Sequence, residues 1–444
     1  MRIPSSTLRT LMGAIMVVIL LPRGGSCQEI LDYKDPLLGP EELTVDNFSG
    51  LGARAMGMGG AYIAVANDLS ALCWNPAGLA QVRQMQLSGT LLPYWKRQVD
   101  SLFRPGSPHS EQITRAGLSS IGAVLPVPTT RGSLVFGVGF NRLKDFDLGA
   151  SAVGYNDIFR FQQQEHMTIE GGIGAWSVGG AIDLSPNLSV GGAINFWSGD
   201  SNLRWDLSLA DSKQIHADVD SLYGHIRCSD QYSGTNLKLA AMLKGQRGLK
   251  FAATVSSPVT YKVEKNWWDE YRTVTPDSIF TWDWPDVAYL LEYKVKLPYQ
   301  FGFGVSWTTR GLILAFGAHY ADWRQTEYKD LPSDFGSSSD FRLKYKDVWR
   351  LHFGGEVSVP DTGIRLRAGF YTDPVAYLGP RSACGSAIRT RKQRKWLTLG
   401  AGTTVDKVFS IDAAWVHGAW EQTEGNLTQK HKADRLFVTA TYRF

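Results

Sequence analysis

Arg435-Leu-Phe-Val-Thr-Ala-Thr-Tyr-Arg-Phe444 closes the chain, and its alternation marks it as a strand. Leu436, Val438, Ala440, Tyr442 and Phe444 fall on one side of an extended strand; Arg435, Phe437, Thr439, Thr441 and Arg443 fall on the other. The run before it sets Phe409, Ile411, Ala413 and Trp415 against Ser410, Asp412 and Ala414. Trp349, Leu351, Phe353, Gly355 and Val357 repeat the pattern upstream, as do Tyr299, Phe301, Phe303, Val305 and Trp307. A period of two marks strands with one apolar and one polar face. A soluble sandwich shows the same period, so the connections have to decide.

Short turn signals stand at Thr130-Arg131-Gly132, Ser185-Pro186-Asn187, Gln246-Arg247-Gly248, Thr309-Arg310-Gly311, Pro360-Asp361-Thr362 and Asp406-Lys407. Between them lie long polar stretches at 96–115, 146–168, 200–233, 264–297, 324–346, 373–393 and 419–433. Short and long connections take turns, as in outer-membrane barrels with tight periplasmic turns and long outer loops. The expected fold is therefore all-β: a transmembrane antiparallel barrel of about 14 strands, each of roughly 10–16 residues, with both ends on the periplasmic side. Aromatic residues near strand ends (Tyr94-Trp95, Phe196-Trp197, Trp323, Trp349, Trp420) fit interfacial girdles. Tyr442 and the terminal Phe444 resemble the signal by which bacterial barrels are recognised by the assembly machinery.

The first residues differ. Arg2 and Arg9 precede an uncharged run from Leu11 to Leu21, followed by Pro22 and by small residues up to Cys27. That is a secretory signal peptide over 1–27, too short to cross a bilayer as a helix; acylation of Cys27 is the alternative. Its removal takes Arg2, Arg9 and Arg23 and no acid, so the formal charge falls from +4 to +1. Near-neutrality argues against a nucleic-acid partner. The remaining three cysteines are too few for a disulfide scaffold. Cys228 and Cys384 both fall in expected outer loops, and whether they pair depends on their distance.

Residues 28–83 are set apart by the stretch Gly52 to Leu79, which is crowded with Gly and Ala and closes on Asn75-Pro76-Ala77-Gly78. Small residues fit a confined space, and Asn-Pro-Ala-Gly is a turn signal. The expected division is a plug over 28–83 inside a barrel over 84–444. Gly52-Ala-Arg-Ala-Met-Gly-Met-Gly-Gly-Ala-Tyr-Ile-Ala-Val-Ala-Asn-Asp-Leu-Ser-Ala-Leu-Cys-Trp-Asn-Pro-Ala-Gly-Leu79 resembles the N-terminal hatch of the FadL/TodX superfamily of outer-membrane transporters, including its PorV/PorQ branch.

The resemblance implies a fourteen-stranded barrel with Asn75-Pro76-Ala77 in the lumen, where Asn75 to Gly78 gate the ligand. It also implies passive uptake of hydrophobic compounds such as long-chain fatty acids across a Gram-negative-type outer membrane, the ligand leaving through a gap in the wall. The partners would be outer-membrane lipids and hydrophobic small molecules. The PorV branch implies the alternative, a non-transporting barrel that docks secreted cargo or secretion-system proteins. Pro93 and Pro126-Val127-Pro128 are candidates for a kinked strand, because proline deletes a ladder hydrogen bond.

Parity sends Lys238, Lys250, Arg350, His352, Glu356, Arg365, Arg367, Asp412 and Arg435 into the lumen. Arg350, Glu356, Arg365 and Arg367 form the expected charged cluster. Arginines there can hold an anionic head group or the hatch, or can pair with Glu356, Asp412 and Asp68. Inward glycines such as Gly137, Gly139, Gly302 and Gly304 leave room for the plug. No motif for hydrolysis, metal binding or a cofactor occurs, so no catalytic residue, metal ligand or cofactor is assigned.

Overall fold

The computed structural model describes residues 48–157, 160–283, 289–331, 342, 345–376 and 389–444. The expected signal peptide and residues 28–47 lie outside them, as does Cys384.

Fourteen antiparallel strands form one closed wall. They are β1 (Gln86–Phe103), β2 (His109–Val127), β3 (Leu134–Asp145 and, after a break, Leu148–Asn156), β4 (Phe161–Ser185), β5 (Leu188–Ala210), β6 (Ser221–Lys244) and β7 (Leu249–Ser256 and Thr260–Val274). There follow β8 (Ile279–Asp283, Tyr289–Lys296 and Gln300–Thr309), β9 (Leu312–Asp322 and Glu327–Lys329), β10 (Asp347–Ser358), β11 (Ile364–Thr372), β12 (Arg389–Val405), β13 (Phe409–Glu424) and β14 (Leu427–Arg443). β1 pairs with β14 from Gln86↔Arg443 to Phe103↔Leu427, which closes the barrel. All six short turns fall at one end. Gly132, Gly248 and Gly311 supply positive φ there, and Asp406 and Lys407 both have positive φ, as a type I′ hairpin turn demands.

The long connections are a correction. Most of the residues expected in outer loops are strand: β4, β5 and β6 run to 25, 23 and 24 residues, and 419–433 contains only a turn at Gly425-Asn426. Cys228 lies in β6 and faces inward rather than in a loop.

The cause is an inversion of polarity along each strand. On β5 the outward residues run Ile194, Phe196, then Ser198, Asp200, Asn202, Arg204 and Asp206; the inward ones run Ser189, Ala193, Asn195, then Leu203, Trp205 and Leu209. β6 changes at the same height, with outward Leu237, Leu239 and Leu243 giving way to Thr235, Ser233, Gln231 and Arg227. A strand keeps its outer face apolar only where lipid touches it. Beyond the bilayer the outside meets water and the inside becomes the hydrophobic core. On β8 the apolar outer face, Tyr299 to Trp307, covers nine residues, about 20 Å along the axis at a usual ~40° tilt.

The aromatic residues divide by parity as well. Tyr94, Phe196 and Trp349 face outward, whereas Trp95, Trp323 and Trp420 are buried facing the lumen, so only the first three fit a girdle.

Residues 48–83 lie inside the wall. Two short helices, α1 (Ala53–Gly57) and α2 (Ala71–Trp74), and a 3-10 turn over Pro76–Gln81 are buried almost throughout. Strands all around hydrogen-bond to them: Thr439 of β14 accepts from Ala53 N at 2.9 Å, Thr398 of β12 from Gly59 N at 3.0 Å, and Ser306 of β8 donates to Ala64 O at 3.1 Å. Close approach needs small residues on the wall. A Cβ added at Gly191 of β5 would stand 2.7 Å from Ala77 N, and one at Gly304 of β8 2.8 Å from Ile63 Cβ. Gly137 likewise faces Leu72.

Candidate functional site

Four layers stack along the lumen. At the short-turn end a vestibule of about 270 Å³ is lined by polar residues, among them Asp68, Ser70, Gln81, Gln86, Arg365 and Asp412.

Above it lies an ion-paired layer. Glu356 on β10 accepts Arg54 from α1 at 2.9 Å through each carboxylate oxygen, and Arg367 on β11 at 2.6 Å. Arg367 also meets Asp412 on β13 at 2.8 Å, and Arg365 donates to Thr404 Oγ1 at 2.7 Å. Arg367 is wholly buried and Glu356 nearly so. Arg54, Glu356, Arg367 and Asp412 each have an opposite partner, as burial requires, whereas Arg365 rests on a neutral hydroxyl. Arg350, the fourth member of the expected cluster, is six residues up β10 from Glu356 and belongs to the next layer.

The expected partner from the plug was the acid Asp68. The inner segment instead supplies the base Arg54, while Asp68 accepts from Tyr62 Oη at 2.7 Å and from Ser70. Arg54 is the one charged residue between Gly52 and Asn67, and that isolation among small residues was its signal.

Asn75 to Gly78 are fully buried on the opposite side. Asn75 donates through Nδ2 to Ile63 O at 2.7 Å and accepts from Ala77 N at 3.0 Å, clamping two parts of the inner segment together. Gly78 abuts Ala66 O so closely that any side chain would overlap it.

The third layer is a cavity of about 140 Å³ under the upper lumen. Phe48, Leu51, Cys73 and Trp74 of the inner segment and Trp197, Tyr261, Leu297 and Trp323 of the wall supply apolar surface. Its cationic lining is Lys144, Lys238 and Arg350, with His319 beside them, and no Asp or Glu is among its described lining residues. Lys238 hydrogen-bonds to Cys73 O, and the Arg350 guanidinium lies 5.4 Å from the Phe48 ring centroid. Lys238 and Arg350 were expected in the lumen; Lys144 was not singled out, because it follows the break in the alternation of β3.

Above the cavity rises the apolar upper lumen of Ile169, Leu203, Trp205, Ile226, Val263 and Val295. Among its buried ions, Lys265 and Asp230 pair at 3.0 Å.

The wall is lapped between β2 and β3. Their ladder stops at Ser120↔Asn141, and the second part of β3 slides under β2, with Gly149 against Glu111 and Ile113. The inner face of β2 then meets the outer face of β4: Arg115 pairs with Glu170 at 2.5 Å and approaches Asp147 at 3.7 Å. Below the overlap a cavity of about 300 Å³ is lined by Ser49, Trp95 and Phe437 on its lumen side and by Arg115, Glu170 and Asp200 on its outer side. Ser49 takes over the groups that β2 leaves: its N donates to Leu143 O at 3.2 Å, and its Oγ accepts from Asp145 N at 2.7 Å. Pro93, one of the two expected kink sites, does sit at a register shift in β1 against both neighbours, whereas Pro126 stays in register with Val135.

No family model and no curated protein sequence matches the chain. Among solved structures it is similar to a Pseudomonas aeruginosa FadL homologue, at 14% identity and a TM-score of 0.61, covering 90% of this chain and 99% of that one. The toluene transporter TodX of P. putida gives 15% identity and a TM-score of 0.60, with 89% and 99% covered. TbuX, the toluene transporter of Ralstonia pickettii, gives 14% and 0.57, with 90% and 99% covered. At this identity the likeness concerns the fold, and the chain is a closed fourteen-stranded barrel of the FadL/TodX type.

Proposed function

We propose that the protein is a passive outer-membrane channel for hydrophobic compounds that carry an anionic head, long-chain carboxylates being the fitting class. The observation that carries this reading is the third-layer cavity: Lys144, Lys238, Arg350 and His319 around an apolar pocket without a lining carboxylate. Lys238 and Arg350, held against an apolar pocket with no carboxylate in its described lining, favour an anionic ligand, whose charge-assisted hydrogen bonds replace lost hydration. The apolar upper lumen suits the tail, since desolvating it drives entry. The solved neighbours include toluene transporters, which supports hydrophobic small molecules as the general class.

Residues 28–83 act as the hatch in this reading, with Asn75, Pro76, Ala77 and Gly78 as its gating turn. The ion-paired layer and polar vestibule beneath offer no apolar route onward to the periplasm. A desolvated tail therefore leaves sideways, and the seam between β2 and β3 is the exit we assign.

The test is a binding titration that compares a long-chain carboxylate with its methyl ester, followed by tryptophan fluorescence. Lys238→Gln with Arg350→Gln should weaken the carboxylate by about tenfold or more, from lost charge-assisted bonds, and leave the ester unchanged. Equal loss for both ligands, or none, removes the head-group assignment. A barrel that binds neither but purifies with a protein partner fits the docking alternative.

A further inference from the structure

The wall is interrupted a second time, across the barrel from the seam, on three consecutive strands at one height. β7 and β8 pair at Ser256↔Gln300 and again at Thr260↔Lys296, leaving 257–259 facing 297–299 between the two ladders. β9 breaks at the same level: it pairs Ala321↔Gln300 and then Glu327↔Lys296, with a 3-10 turn over Trp323–Gln325 between.

Two prolines sit in this interruption. Ser257 N donates to Leu237 O of β6 at 2.8 Å, so by alternation the donor that Pro258 lacks would point to β8. Leu297 N donates to Val259 O at 2.8 Å, so the donor that Pro298 lacks would point to β9. Proline in two adjacent mid-wall strands is unusual, because each removes a ladder bond.

The interruption lies where the outer face changes character. Below it β8 presents Tyr299, Phe301, Phe303 and Val305; above it stand Lys294 and Glu292. That is the outer membrane–water boundary. An external cavity of about 420 Å³ opens there, with Pro258, Leu297, Pro298 and Tyr299 on its apolar part and polar residues such as Lys296 and Arg324 on the rest. Leu297 and Pro298 also line the internal cavity that holds Lys238 and Arg350, so the internal and external cavities adjoin at these two residues. On the β9 side the interruption is edged by two surface ion pairs, Lys296–Glu327 at 3.1 Å between β8 and β9 and Arg324–Asp322 at 2.8 Å within β9.

We infer that this interruption is a side portal through which a single acyl chain, dissolved in the outer leaflet, enters the lumen cavity directly from the membrane. The portal rests on the cavity being the ligand site, and its direction is opposite to the seam: one opening admits, the other releases. Leu297 is the gate between the two cavities.

Cys73 lines the internal cavity and provides a reporter. In full-length barrel held in bilayer discs, with Cys27, Cys228 and Cys384 changed to Ser, the modification of Cys73 by an alkyl methanethiosulfonate dissolved in the bilayer is followed by mass spectrometry. A water-soluble sulfonated methanethiosulfonate serves as the parallel probe. Pro258→Val with Pro298→Val supplies the missing donors and should slow the bilayer probe about tenfold or more, with the aqueous probe unchanged. Leu297→Trp should do the same without touching the backbone, which covers a double variant that folds badly. Equal bilayer-probe rates in all folded variants, or a Cys73 that only the aqueous probe reaches, overturn the portal. Neither readout requires that a carboxylate bind, so failure of the portal and failure of the head-group assignment are told apart.

Discussion

Glu356→Gln tests what holds the inner segment in place. In the native layer the carboxylate receives Arg54 through two bonds of 2.9 Å and Arg367 through one of 2.6 Å. The amide presents one acceptor and turns an NH2 group towards a guanidinium. Arg367 keeps Asp412 at 2.8 Å, whereas Arg54 retains as hydrogen-bond partners only the neutral Asn67 at 2.7 Å and Tyr62 at 3.3 Å, with Asp68 acting on it from farther off. Breaking a buried pair from one side costs about 3–5 kcal/mol. Arg54 keeps 15% of its side-chain surface in contact with water, so the lower end, about 3 kcal/mol, applies. That raises the population with α1 displaced roughly a hundredfold.

Native-state hydrogen exchange reads this at the amides of Met56 and Gly60, which bond to Gly52 O and Ala55 O. Exchange there should speed by about that factor while the strand amides stay protected. Glu356→Gln with Arg54→Met removes the stranded cation and should recover most of the loss. Unchanged exchange in the single variant, or additive losses in the double, would refute the claim that this ion pair anchors the segment.

Gly191→Val places a Cβ where it meets Ala77 N at 2.7 Å, so it should displace the Asn75–Gly78 turn and raise single-channel conductance with the barrel still folded. Asn75→Ala strands Ile63 O and Ala77 N, at about 1–3 kcal/mol, and should show as faster exchange between Ile63 and Ala77. Deleting Phe444, whose N donates to Met85 O at 3.0 Å, should lower the yield of heat-modifiable barrel in the outer membrane more than it lowers the stability of barrel refolded in detergent.

The strand count and the lumen-facing set were legible because parity along a strand carries both. Lys238, Lys250, Arg350, His352, Glu356, Arg365, Arg367, Asp412 and Arg435 all face inward as their positions require. The height of the wall was not legible. Residues such as Asp200, Asn202 and Arg204 look like loop when a strand is expected to keep an apolar outer face, and only the reversal of faces at Trp197–Ser198 identifies them as wall above the bilayer.

The site was half legible for a related reason. Parity assigns a side of the wall but not a depth, so Arg350 was grouped with Arg365 and Arg367 although cross-strand register pairs those two with Ser358 and Glu356. Arg54 could not be matched to Glu356 at all, since no local rule connects residues 302 positions apart. Nor did Pro93 mark the lapped seam: β2 and β3 part where their ladder ends at Asn141, a residue without any turn signal.

Native mass spectrometry of the barrel purified from its membrane tests the central claim most directly. The expected result is one apolar-tailed anion bound per barrel, absent when Lys238 and Arg350 are both changed to Gln in a barrel that still folds. An empty wild-type lumen together with a stably bound protein partner would contradict it.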